Sequence, residues 1–164
     1  SMTSLATMAG VLALLGSLLI AGVFFAFSNF IMGALGRLES ANGMAAMQSI
    51  NVVVLNPAFL GIFAGTAVAS LFAAGLAVAA WGVAPALWFI AGAVSYCLGT
   101  FFLTGVGNVP LNNRLAAAAT TDPEAGGLWQ HYLDSWTRLN TIRTLASTAA
   151  AAAFLTGLLT AAGG

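Results

Sequence analysis

Charge is what this chain has least of. Its 164 residues carry four basic side chains, all arginine, four acidic ones, one histidine and one cysteine. From Ser40 to Asn113 nothing is charged, and the same holds from Ser1 to Gly36 and from Thr144 to Gly164. With 5% charged and 60% hydrophobic residues, the chain has too little polar surface for a water-soluble domain of this length. The lack of a basic patch and of a glycine-rich phosphate loop excludes nucleic acid and makes nucleotides poor ligands. Cys97 alone forms no disulfide framework, and one histidine with four scattered acids makes no protein-ligated metal site. A Ser–His–Asp triad has no nucleophile elbow to sit on. Haem ligation has no spacing signature, and no cofactor is expected.

What is present is apolar length. A membrane-spanning helix needs roughly 20 apolar residues. Such runs are found at about 5–31, 59–80, 86–106 and 142–162. A membrane β-barrel would need alternating polar and apolar residues. The runs here are continuous and rich in Ala and Leu, so helices are expected. The expected fold is all-α: a single integral-membrane four-helix bundle with one short external turn, Trp81–Pro85, and longer polar links at the other end. No basic segment precedes the first run, so a cleaved leader is not expected. All four arginines fall at the end that carries the long links. The positive-inside rule then makes that end cytoplasmic, places both termini outside, and suits a bacterial inner membrane.

The links carry the polar information. Asn42-Gly43 is a turn signal that predicts a break after a first helix reaching Leu38. Met44 to Leu55 reads as a helix. Asn56-Pro57 then predicts either a kink or a fresh helix start capped by Asn56. Gly61 and Gly65 form a GxxxG pair, a contact candidate for a homodimer. Ala116 to Gly127 reads as a connecting loop. From Leu128 the pattern is helical and can run on into the fourth span. On a helical wheel Trp129, Tyr132, Trp136, Asn140, Arg143 and Ser147 share one stripe, while His131, Asp134 and Arg138 share the opposite, solvated one.

Two features bear on function. Arg143 ends the aromatic stripe where hydrocarbon begins. A guanidinium there costs several kcal/mol unless solvated, snorkelling or paired. It is either an interfacial anchor or a functional cation. The second feature is six amides at comparable depth: Gln48, Asn51, Asn56, Asn108, Asn112 and Asn140. Amides in an apolar setting must be hydrogen-bonded. They serve either as helix caps and interhelix glue or as the mouth of one cavity, where they would orient a ligand's oxygens. The bilayer is the partner this pattern fits. A transporter would call for inverted repeats and midplane acids, and neither is seen.

Four segments, Ala46-Met47-Gln48-Ser49-Ile50-Asn51, Asn56-Pro57, Gly107-Asn108-Val109-Pro110-Leu111-Asn112 and Trp136-Thr137-Arg138-Leu139-Asn140-Thr141-Ile142-Arg143-Thr144, together resemble the anthrone oxygenase-like membrane family. Many of its members have histidine where this chain has Thr141. The resemblance implies a compact four-helix membrane protein. For some fungal members it implies oxidation of an anthrone to an anthraquinone by molecular oxygen without a cofactor. The resemblance thus implies a small lipophilic aromatic ligand. Such a site needs an aromatic-lined slot, for which Phe24, Phe27, Phe59 and Trp136 are the candidates, donors at the enolate oxygen and a base. Arg143, Asn108 and Asn140 are the candidate catalytic donors. Glu39 or a water is left as the base by elimination. A non-catalytic protein that holds a quinone, lipid or partner helix uses the same cavity and needs no base.

Overall fold

The computed structural model describes residues 1–164, and it is helical throughout with no strand. Five helices follow in order: α1 (Met2–Gly36), α2 (Ser40–Val53), α3 (Pro57–Ala80), α4 (Val83–Ala116) and α5 (Ala125–Ala162). All but α2 are long and apolar enough to cross a membrane. Around the bundle α1 packs on α3 and α5, and α4 packs on α3 and α5, so the four spans close a square. Their outer faces carry exposed Leu, Val, Ile and Phe side chains, for example Leu12, Leu18, Leu71, Phe72, Val94 and Leu145. Their inner faces are built on small residues with aromatic fillers: Ala13, Ala73, Ala77 and Ala150 around Phe89, Tyr96 and Phe154. Between spans that gain little from the hydrophobic effect, such small residues let backbones approach. At Gly92 a Cβ would lie 2.8 Å from the Phe154 ring, so only glycine lets α4 and α5 close on that ring.

Helix length creates the space that matters. At 1.5 Å per residue, α1 with its 35 residues is about 52 Å long and α3 with its 24 about 36 Å. A hydrocarbon core of about 30 Å leaves α1, α4 and α5 projecting well beyond it at the charged end. There α2 lies over them and closes a second core of Met32, Met44, Met47, Leu115, Trp129, Tyr132 and Trp136. The apolar runs at 5–31, 86–106 and 142–162 therefore lie within longer helices. Packing against α2 keeps the extra turns helical after the apolar run has ended.

One local expectation is corrected. Asn42-Gly43 is not a turn. The break falls at Arg37–Glu39, and both residues lie inside α2. Gly43 is there for closeness: a Cβ on it would sit 2.7 Å from the Leu35 carbonyl and 2.9 Å from the Trp129 ring. At Asn56-Pro57 the fresh start is what forms. The Asn56 side chain accepts the Phe59 amide at 2.9 Å, and Pro57 occupies the first turn of α3, where a missing N–H costs nothing. The aromatic stripe on α5 is buried along its whole length, Trp129 through Ser147, while His131, Asp134 and Arg138 are exposed. Gly61 and Gly65 both face open space on the outside of α3.

Candidate functional site: a buried guanidinium beside an aromatic cavity

Arg143 lies midway along α5 and is only 4% exposed. Its Nη1 donates to the Thr104 hydroxyl and its Nη2 to Asn140 Oδ1, both at 2.8 Å. Both acceptors are neutral. The guanidinium carbon stands 4.0 Å from the centre of the Phe24 ring and 5.3 Å from that of Trp136. A desolvated cation over an aromatic face gains about 2 kcal/mol, which helps hold the charge but leaves it uncompensated. Its Nε–H has no partner, nor does the neighbouring Trp136 Nε1–H, nor Asn108 Oδ1.

The surrounding backbone is adapted to this. Wide π-helical turns occur at Phe27–Ile31 in α1 and at Cys97–Phe102 and Thr104–Asn108 in α4. Such turns are rare and tend to occur at functional sites. All three flank the Arg143 level of α5. The Asn140 amide bridges across to α1, donating to the Phe24 carbonyl and the Ser28 hydroxyl at 2.7 Å each. From α4, Thr100 donates to the Arg143 carbonyl at 3.1 Å, and Asn108 donates to the Trp136 carbonyl at 3.3 Å. Arg143 is thus held from three helices.

It forms one wall of a cavity of about 430 Å³. Small-molecule sites commonly have volumes of roughly 300–1,000 Å³. Phe24, Phe27, Phe59, Phe63 and Trp136 make the aromatic walls, and Gln48, Asn51, Asn112 and the exposed Asn113 add amides. Phe59 stacks on Phe63 at 5.8 Å, and Phe27 tilts against Trp136 at 5.7 Å. The rim is apolar: Val52 and Leu55 at the α2–α3 joint are 71% and 65% exposed. Two shallower grooves at the charged end are larger, about 620 Å³ beside Asp122, Glu124 and His131 and about 540 Å³ beside Arg37 and Arg138. Exposed side chains line both, and neither includes Arg143.

The amides divide by role. Gln48, Asn51 and Asn112 line the cavity with Arg143, Trp136, Phe24, Phe27 and Phe59. Asn140 and Asn108 are buried behind that wall and hold Arg143 and the α5 backbone. Asn56 caps α3 and is not on the wall. Glu39 lies in the α1–α2 connection, also off the wall. Thr141, where family members often have histidine, is exposed in the groove between α1 and α5, off the cavity wall, and bonds at 3.0 Å to Ser28, which also receives Asn140. Four polar or aromatic contributors were not singled out from sequence. Phe63 and Asn113 stand on the wall. Thr104 receives Arg143, and Tyr132 ties two cavity amides together: Asn51 Nδ2 donates to its oxygen at 3.2 Å, and its hydroxyl donates to Asn112 Oδ1 at 2.7 Å. Tyr132 sits on the α5 stripe, and Thr104 lies four residues before Asn108 on α4. The position of Tyr132 was legible, but the neighbours across the bundle were not.

Fold and cavity define an integral membrane protein of the helical-bundle class, with a polar cluster enclosed beside a ligand-sized aromatic chamber. The chain belongs to the anthrone oxygenase family, whose sequence profile matches residues 53–153. No curated protein and no solved structure matches it. The matched stretch covers α3, α4 and α5 as far as Ala153, and so contains Arg143 and Thr104 but not Phe24, Phe27, Gln48 or Asn51.

Proposed function

We propose that the protein is an oxygenase-type membrane enzyme acting on a lipophilic, planar aromatic substrate of the anthrone or quinol kind at the charged end of the bundle, the end we place in the cytoplasm. The observation that carries this reading is Arg143: a guanidinium withdrawn from water beside an aromatic wall, bonded only to neutral oxygens, with a buried Nε–H that has no partner. A cation so placed favours an oxyanion in the chamber over a neutral carbonyl, because preorganised donors in a dry site stabilise charge as it develops.

An anthrone is a carbon acid. Loss of a C–H proton to water leaves an extended enolate whose oxygen meets Arg143. The enolate passes one electron to O2, and the resulting pair recombines to form a C–O bond. The hydroperoxide then loses water, leaving the second carbonyl. One anthrone and one O2 yield one anthraquinone and one H2O, with no external reductant. Arg143 binds and stabilises, the aromatic walls hold the ring system, and Asn140 and Thr104 keep the guanidinium in place.

Oxygen uptake with an anthrone in detergent or liposomes tests this. Wild type should exceed the uncatalysed rate, and Arg143→Ala should fall to it. Equal rates for both proteins and buffer would remove the reading. A second reading, a non-catalytic holder of a quinone or lipid, is favoured by one observation: no carboxylate or imidazole is on the cavity wall. Ligand co-purifying with the protein, coupled with no oxygen uptake, would select it.

A further inference from the structure

We infer that the groove between α1 and α5 at the charged end is a binding site for an anionic glycerophospholipid, whose phosphodiester is held by Arg37 and Arg138. The site is separate from the aromatic cavity, and oxygen chemistry plays no part in it.

The two arginines are unspent. Arg143 is the one arginine whose guanidinium is hydrogen-bonded within the protein. Arg37 and Arg138 have neither a hydrogen bond nor a carboxylate at ion-pair distance, although both line the same groove of about 540 Å³. Asp134, one turn before Arg138, lines it too and pairs with neither. Two arginines and one aspartate leave the groove with one excess positive charge. Gln130 and Thr137 add neutral side chains that bond to nothing in the protein. The α1 wall is low at Gly33, where even an added Cβ would touch nothing.

Depth in the bilayer identifies the ligand. The apolar run of α5 ends at Ile142. Arg138 stands further out by about 6 Å, at 1.5 Å per residue. A hydrocarbon core of about 30 Å within a bilayer of roughly 40–45 Å leaves about 5–8 Å of head groups on each side. Arg138 is therefore at phosphate depth. Gly36 faces Leu133 across the groove, which sets Arg37 about 9 Å beyond Arg138. Two arginine side chains, both long, can close that distance on one head group. Toward the hydrocarbon, Phe25 on α1 and Leu145 on α5 are 55% and 65% exposed and offer apolar surface to acyl chains.

Guanidinium groups bond phosphate oxygens in a planar fork, and basic pockets between transmembrane helices suit anionic head groups. A singly anionic lipid such as phosphatidylglycerol neutralises the groove, and its glycerol hydroxyls have Asp134 as an acceptor. Phosphatidylethanolamine pairs its ammonium with Asp134 but leaves the excess charge in place. Phosphatidylcholine leaves that charge too and brings no donor.

Lipid competition read by native mass spectrometry tests this. Full-length protein in detergent is offered equal amounts of phosphatidylglycerol, phosphatidylethanolamine and phosphatidylcholine with identical acyl chains. Each arginine near an anionic head group contributes roughly a fivefold preference, and Asp134 offsets part of it, so phosphatidylglycerol should be retained about 10-fold over the other two. Arg37→Gln and Arg138→Gln should each lower that preference about fivefold, and the double variant should show none. Arg114→Gln removes the same charge from the same end but from another groove, and should leave the preference within about twofold of wild type. Equal retention of the three lipids by wild type overturns the inference, whether or not any variant folds. A loss with Arg114→Gln as large as with Arg138→Gln also overturns it, because attraction would then belong to the whole charged end. Displacement of the bound lipid by excess glycerol phosphate overturns it as well, since the groove would then take a soluble phosphate and not a lipid.

Discussion

Asn140→Leu tests the architecture of the site most directly. The two side chains are close in size, so the substitution removes polarity and little volume. Asn140 is fully buried and makes three side-chain hydrogen bonds: it accepts from the Arg143 guanidinium and donates to the Phe24 carbonyl and the Ser28 hydroxyl. A hydrogen bond to a charged group contributes about 2 kcal/mol and a neutral one about 1 kcal/mol, so the three together amount to about 4 kcal/mol. That is a large part of the roughly 5–15 kcal/mol that separates most folded domains from their unfolded chains. Reversible unfolding by a rising mole fraction of SDS in mixed micelles measures it. The comparison is Asn51→Leu, a half-buried amide with one side-chain bond, to the Tyr132 hydroxyl, where about 1 kcal/mol is expected. The same reasoning predicts that Asn140→Leu frees Arg143 Nη2 and impairs any reaction that needs the guanidinium held still. If Asn140→Leu costs less than about 1.5 kcal/mol, or no more than Asn51→Leu, then the bonds around Arg143 do not organise the bundle and the description of a built site is wrong.

Other outcomes follow from single contacts. Gly43→Val should destabilise the protein by about 3 kcal/mol in the same titration, because the new side chain meets the Leu35 carbonyl, which cannot give way, as well as the Trp129 ring. Asn56→Ala should cost about 1 kcal/mol by removing the cap of α3, without altering the affinity for a planar ligand. Thr141→His, which installs the residue many relatives have, should leave ligand affinity within about twofold of wild type, since Thr141 is exposed and stands off the cavity wall. An altered affinity would mean that the bonds from Thr141 through Ser28 and Asn140 carry the change to Arg143.

Charge scarcity and unbroken apolar runs were enough to establish four helices in a bilayer. In hydrocarbon every backbone donor must be paired within the segment, and that requirement acts on composition alone. The α5 stripe was legible for a similar reason, since helical periodicity puts Trp129, Tyr132, Trp136, Asn140 and Arg143 on one face whatever they pack against. The start of α3 could be read from Asn56-Pro57 because capping is local chemistry. Asn42-Gly43 misled because glycine signals both a turn and a close approach, and only the position of Trp129 and Leu35 distinguishes the two.

Which amides meet a ligand and which hold the scaffold depended on partners far away in sequence. Asn140 reaches Phe24 across the bundle, Gln48 reaches the end of α4, and Asn51 meets Asn112 through Tyr132. Each is a side-chain amide at a similar depth, so nothing local separates them. The chain by itself determined a greasy helical bundle with one costly cation and a handful of amides near one end. Only the tertiary structure decided that the cation stands beside an aromatic chamber and which amides share its wall, because the partner of a buried polar group lies across the bundle.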